Sequence, residues 1–176
     1  LTELIQNKLT GLHVGLISFS NQVPMKELLH FLEMTGASVQ SAVTIFCNNK
    51  DNIETMAHAT QQPDEMITAV VQELRYSMNY GVISPLVQEA EGLMMVSHTG
   101  HYEYPVDAII LIGQGRSTLE YDNILIQNIE DTGIPLIAVE ADGMEDSTIS
   151  KYKSLGISTV DYVESIYGRL ALTSVL

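Results

Sequence analysis

The stretch DAIILIGQGRSTLE, Asp107 to Glu120, decides the fold. Its first part, Asp107–Ile112, is almost entirely apolar, which is typical of a short strand buried on both faces of a sheet. Gly113-Gln114-Gly115 ends that run, and Ser117 with Glu120 has capping-box spacing, so a helix is predicted to begin there. A strand, a glycine turn and a helix N-terminus in this order are typical of the crevice end of an open α/β sheet.

Further apolar runs flank this stretch, and they are separated by segments with one apolar helical face. Strands are predicted at Leu12–Phe19, Val39–Ile45, Leu93–Val96, Pro135–Glu140 and Ile157–Val160. The strongest helical pattern covers 64–80, Ser84-Pro85 has the residues of a helix start, and Gly36 and Gly156 are predicted to end helices. Because strands alternate with helices, we expect parallel strands joined by crossovers. The sequence therefore predicts a single three-layer, Rossmann-like α/β domain over residues 1–176, with a mostly parallel sheet.

Three segments depart from this alternation or border it. Leu1–Leu9 is amphipathic and is predicted to be the end of a preceding helical or coiled-coil segment. His98–Pro105 is polar and is predicted to be an exposed loop or hairpin. Asp161 and Glu164 have capping spacing, so the last helix is predicted to begin there.

The composition limits the classes of partner. The 176 residues include 22 acidic and 8 basic side chains, and the formal net charge is −14. Such a charge argues against binding of nucleic acid or of an anionic membrane surface, both of which need basic patches. The single cysteine, Cys47, excludes an internal disulfide and any metal site built on two or four cysteines. No apolar run approaches the ~18 residues of a membrane span. The sequence starts at Leu1 rather than Met and has no signal peptide, so we expect it to be a piece of a longer protein.

The GQGRS turn is the first candidate site. Gly113 and Gly115 allow a ligand to approach the backbone closely, and Arg116 can pair with a phosphate or a carboxylate. Ser117 opens the following helix, whose first N–H groups can hold an anion. The turn does not have the complete pattern of a phosphate-binding loop or a dinucleotide-binding fold. The alternative interpretation is a tight strand-to-helix turn that Ser117 caps.

Glu140 and Asp142 extend this candidate ligand site. Both lie at the end of a predicted strand, where the sites of α/β proteins gather. The alternative is structural, with Asp142 as a helix cap and Glu140 as a solvated strand end. No nucleophile elbow or zinc-protease motif is present, so we name no catalytic residue and favour a non-catalytic domain.

His98-x-x-His101 is the second candidate site. Met95 lies shortly before this pair, and imidazole and thioether groups are both ligands of copper. The sequence therefore leaves a copper site open, with His98, His101 and Met95 as its ligands. The alternative is a polar loop with two unrelated histidines and a methionine buried in a strand.

The closing stretch LGISTVDYVESIYGRLALTSVL, 155–176, resembles the C-terminal signature of a family of bacterial copper transport proteins, which includes the mycobacterial outer-membrane copper transporter. The family patterns G-[IV]-S-T-V-D and G-R-x-A-L match Gly156–Asp161 and Gly168–Leu172. LTGLHVGLISFSNQ, TGASV and VDAIILIGQG are similar as well. The resemblance implies an N-terminal membrane helix and a coiled coil before this domain, a location in the bacterial cell envelope outside the cytoplasm, and a role in copper homeostasis or transport.

Two functions from different classes follow. The first is a soluble, non-catalytic, extracytoplasmic domain of a membrane-anchored envelope protein of the copper-transporter type. It would act through an envelope partner protein or through self-association by the preceding coiled coil. The alternative is a small-molecule or anion-binding α/β domain, or an enzyme, that uses the Gly113–Ser117 turn.

Overall fold

The computed structural model describes residues 5–19, 25–46, 63–101, 104–112, 133–140, 149–161, 163 and 165–176. Within these ranges the strands are β1 (His13–Ser18), β2 (Ser38–Ile45), β3 (Val96–Gly100), β4 (Ala108–Ile112), β5 (Leu136–Val139) and β6 (Ser158–Val160). The helices are α1 (Met25–Met34), α2 (Pro63–Tyr80), α3 (Pro85–Gly92), α4 (Ile149–Ser154) and α5 (Ile166–Val175).

The six described strands form one sheet in the order β3-β2-β1-β4-β5-β6. Each neighbouring pair is parallel except β2 and β3, which are antiparallel. The chain therefore starts in the middle of the sheet, builds outward to β3, and returns to the centre before it builds the other half. The predicted α/β class and mostly parallel sheet are confirmed.

Helices cover both faces of the sheet, which gives three layers. Consecutive residues of a strand face opposite sides, so each central strand contributes to two cores. Leu16 and Ile110 pack with residues of α1 and α5 on one side. Ile17 and Leu111 pack with α2, α3 and α4 on the other. Because both faces are buried, the central strands are almost continuously apolar in sequence.

The strand predicted at Leu93–Val96 is wrong in position. β3 begins at Val96 and runs to Gly100, so His98 lies in an edge strand and not in an exposed loop. Its pattern, VSHTG, is polar because an edge strand has only one neighbour and is partly solvated. Pairing with β2 makes it a strand, and that pairing cannot be read from the five residues alone.

The apolar run before β3 belongs to the end of α3. Leu93 is the C-cap, the N–H of Met94 donates to Glu91 O at 2.9 Å, and the N–H of Met95 donates to Ala90 O at 2.9 Å. These two bonds form a Schellman motif, whose left-handed residue is usually glycine. Here it is Met94, with φ 54°. The usual glycine signal is therefore missing, and the run resembles a strand.

Two helix starts test the capping predictions. Ser84 Oγ accepts from the N–H of Leu86 at 3.2 Å, which confirms the start predicted at Ser84-Pro85. The last helix does not begin at Asp161, because its N-cap is Ser165. The N–H of Val163 donates to Glu140 O at 3.1 Å, and this bond holds the chain against the sheet before the helix can start.

The first described residues pack onto the domain. Ile5 and Leu9 are buried in the core beside α1, and the N–H of Leu9 donates to Thr35 O at 2.9 Å. Of the helices that the structure describes, none combines the length and the apolarity that crossing a bilayer requires.

Candidate functional site

The strand order reverses between β1 and β4. From β1 the chain continues to β2 on one side, and from β4 it continues to β5 on the other. Ser18 and Ile112 are paired at the carboxyl ends of the two strands. In open α/β sheets a crevice forms outside the carboxyl ends of such a pair, and ligands bind there.

The carboxyl ends of the strands are buried. The described residues at the carboxyl ends of the strands are buried: Ser18, Phe19, Ile45, Ile112, Val139 and Glu140. Two of them are polar, Ser18 at 0% exposure and Glu140 at 1%. A ligand at this edge would therefore lie above the strand ends and contact the segments that follow them.

Glu140 is a buried residue and not the solvated strand end of the alternative interpretation. It directly follows β5, its N–H donates to Val160 O at 3.0 Å, and its carbonyl accepts from Val163. These bonds tie the ends of β5 and β6 together. A carboxylate is kept in such a place only if polar groups compensate for its lost hydration, and Glu140 makes further interactions within the protein. Its backbone bonds therefore hold the chain ends of β5 and β6 next to each other.

The other predicted ligand residues lie outside the described part of the chain. They are Gly113, Gly115, Arg116, Ser117 and Asp142, and Cys47 is outside it as well. The structure fixes where their segments leave the sheet, since Gly113 directly follows β4 and Asp142 follows Glu140 by two residues. Their ligand-binding role stays a prediction.

The three predicted metal ligands lie in different surroundings. Met95 is 1% exposed and packs in the core against α2 and α3. His98 is in β3, and His101 is an exposed residue just beyond it whose N–H donates to Gln40 O at 2.7 Å. The described residues contain no group of three His, Cys, Asp or Glu side chains that could hold a metal ion. The copper site at these three residues stays a prediction.

The structure gives His98 a partner that sequence reasoning missed. Its Nδ1 lies 2.7 Å from Glu91 Oε1, and its Nε2 donates to Gly100 O at 2.9 Å. Glu91 is in the last turn of α3, seven positions earlier in the chain. The sequence spacing of Glu91 and His98 does not predict this contact. It depends on the turn of Leu93 to Met95 and on the register between β2 and β3.

No model of a known protein family matches this sequence, and no curated protein matches it either. The resemblance to copper transport proteins thus stays a prediction that depends on the quoted residues. Two of those residues have structural contacts. Gly168 is buried in the first turn of α5, and the guanidinium carbon of Arg169 lies 5.6 Å from the centre of the Phe31 ring.

Proposed function

We propose that this domain binds a small ligand in the crevice above the carboxyl ends of β1 and β4. The observation that carries the proposal is the strand order, which reverses at this pair of strands. Ser20-Asn21-Gln22 follows β1 in the sequence, and the Gly113–Ser117 turn follows β4. Two polar segments therefore start from neighbouring strand ends, at the edge where open α/β sheets hold their ligands.

We infer that the ligand is a small anion. Arg116 would supply a guanidinium for a phosphate or a carboxylate, and Gly113 and Gly115, which have no Cβ, would let the anion approach their backbone N–H groups. The net charge of −14 disfavours anion binding over the surface in general. A single arginine would thus determine whether this edge accepts an anion.

A titration with inorganic phosphate, followed by NMR of the backbone amides, tests the proposal. We expect concentration-dependent shifts at Ser18, Phe19 and Ile112, which border the crevice. Arg116→Gln should abolish these shifts, because it removes the guanidinium that is proposed to pair with the anion.

Lys153→Gln is the matched control. Lys153 is exposed in the last turn of α4, and its loss changes the net charge by the same amount. We expect this variant to bind phosphate like the unmodified protein. Equal loss of binding in both variants would point to a general effect of charge. Shifts that survive Arg116→Gln, or no shifts at all, would contradict an anion site at this turn.

A further inference from the structure

Large apolar side chains are exposed together at the C-terminal end of α2. Tyr76 and Tyr80 are 52% and 58% exposed, and their ring centres lie 4.6 Å apart with the ring planes tilted by 43°. Val82 and Ile83 follow in the turn to α3 and are exposed as well. We call these four residues the tyrosine surface. Contiguous exposed apolar surfaces often mark sites of interaction, and tyrosine is enriched in protein interfaces.

Hydrogen bonds fix the position of the tyrosine surface in the fold. The N–H groups of Gly81 and Val82 both donate to Ser77 O, at 2.8 and 3.3 Å, and these bonds end α2. The N–H of Val106 donates to Met78 O at 3.0 Å, so the chain that leads into β4 is held at the same helix end. The surface therefore lies near the amino end of β4, whereas the crevice lies at its carboxyl end. The inference does not depend on the proposed function.

The charges near the tyrosine surface favour a cationic partner. Glu73 is partly exposed and precedes Tyr76 by three residues, and residues at this spacing are neighbours on the surface of a helix. Arg75, the only basic residue of α2, already interacts with another group of the protein. The whole chain has a net charge of −14. A second copy would bring the same charge and be repelled, whereas a basic segment of another protein would be attracted.

We propose that the tyrosine surface binds an arginine-bearing segment of a basic partner protein. The planar guanidinium of arginine stacks on tyrosine rings, and its fork of N–H groups pairs with a carboxylate such as that of Glu73. Val82 and Ile83 contact the apolar parts of the same segment. The ammonium group of lysine is not planar and is more strongly hydrated, so a lysine segment of equal charge binds more weakly at this surface.

A blocked hexa-arginine peptide is the probe, and a blocked hexalysine peptide of equal charge is the comparison. Both are titrated at physiological salt, which screens distant charges, and binding is followed by NMR of the backbone amides. We expect hexa-arginine to shift the signals of Tyr76, Tyr80 and Val82 first, and hexalysine to bind there about 2- to 5-fold more weakly. Tyr76→Ala/Tyr80→Ala should weaken hexa-arginine binding by about 5- to 30-fold and remove this preference.

Two variants are matched controls. Tyr167→Ala removes an exposed tyrosine from α5 and should leave the affinity for hexa-arginine unchanged. Glu33→Gln removes an exposed carboxylate from α1, so only Glu73→Gln should weaken binding at the tyrosine surface.

Three results would overturn the proposal: equal affinity for the two peptides, first shifts at another surface, or unchanged affinity in the double alanine variant. Signals of the tyrosine surface that depend on protein concentration without peptide would also overturn it, because a second copy would then occupy the surface. If alanine disrupts α2, the comparison of the two peptides on the unmodified protein decides, since it needs no variant.

Discussion

Gly100 is the position where the structure sets the most specific requirement on the sequence. Its φ is +94°, and a Cβ added there would lie 2.1 Å from the carbonyl oxygen of Gln40 and 3.1 Å from Cα of Ser41. Both are backbone atoms of β2, which cannot rotate away as a side chain can. We therefore predict that Gly100→Ala destabilises the protein by distorting the edge of the sheet.

The expected cost has two parts. A non-glycine residue in such a backbone conformation costs about 1–3 kcal/mol. Moving Gln40 O also weakens the 2.7 Å bond that it accepts from the N–H of His101, which adds about 0.5–1.5 kcal/mol. The two parts together cost about 1.5–4.5 kcal/mol. For a chain of this length, this cost corresponds to a fall in Tm of about 3–18 °C.

Urea unfolding followed by circular dichroism measures this change, because the protein has no tryptophan to serve as a fluorescence probe. Gly92→Ala is the matched control. Gly92 is the last residue of α3 and has open space at its Cβ position, so alanine should leave stability unchanged or raise it by about 0.5 kcal/mol. Hydrogen exchange of the β3 amides reports on local fraying of the edge strand. If Gly100→Ala matched Gly92→Ala in stability and kept β3 protected, the argument from close approach would be refuted.

Three further predictions concern stability. Met94→Gly should raise the free energy of unfolding, measured by urea titration, by about 0.5–1 kcal/mol. The reason is that Met94 is 70% exposed and has a left-handed backbone conformation that suits glycine. A decrease would contradict the assignment of a Schellman motif. Asp107→Ala should lower the free energy of unfolding by about 0.5–1.5 kcal/mol, because the 2.8 Å hydrogen bond from the N–H of His13 is lost. Asp107→Asn keeps an acceptor for this N–H and should lower the free energy of unfolding less. Arg169→Gln should lower the free energy of unfolding by about 0.5–1 kcal/mol, because it removes the contact of the guanidinium with the Phe31 ring. A double-mutant cycle with Phe31→Leu should give a coupling energy of the same size. Additive effects of the two substitutions would exclude a cation–π contact.

The centre of the fold was predictable because its sequence pattern depends on burial alone. β4 is completely buried, and Ala108–Ile112 contains no polar residue, so the strand and its central position follow together. Helix ends with the usual chemistry were predictable too. Ser84 caps α3, and Gly36 and Gly156 have the positive φ of glycines that end a helix.

The edge at β3 was not predictable, because its structure depends on contacts between distant residues. β3 has a polar pattern and pairs antiparallel with β2, against the parallel arrangement of the rest of the sheet. Because the turn that ends α3 has Met94 in place of the usual glycine, the sequence does not show this helix end. The strand was therefore predicted to start at Leu93, three residues before the actual start of β3 at Val96. The Glu91–His98 contact exists only once the helix end and the strand pairing are both in place. The candidate ligand turn at Gly113–Ser117 remains a sequence prediction, although the strand order supports its position.

The residues of the closing resemblance illustrate why a sequence motif of this kind does not by itself indicate a metal. Gly156 has φ +76°, which alanine would adopt only with strain. Val160 accepts the bond from Glu140 that joins β6 to β5, Gly168 is buried against the core, and Arg169 lies over Phe31. Each of these residues has a structural role in or next to β6 and α5, so a domain that binds no copper could have the same motif. A copper function would need donor atoms from elsewhere in the protein, because β6 and α5 use these residues for structural contacts.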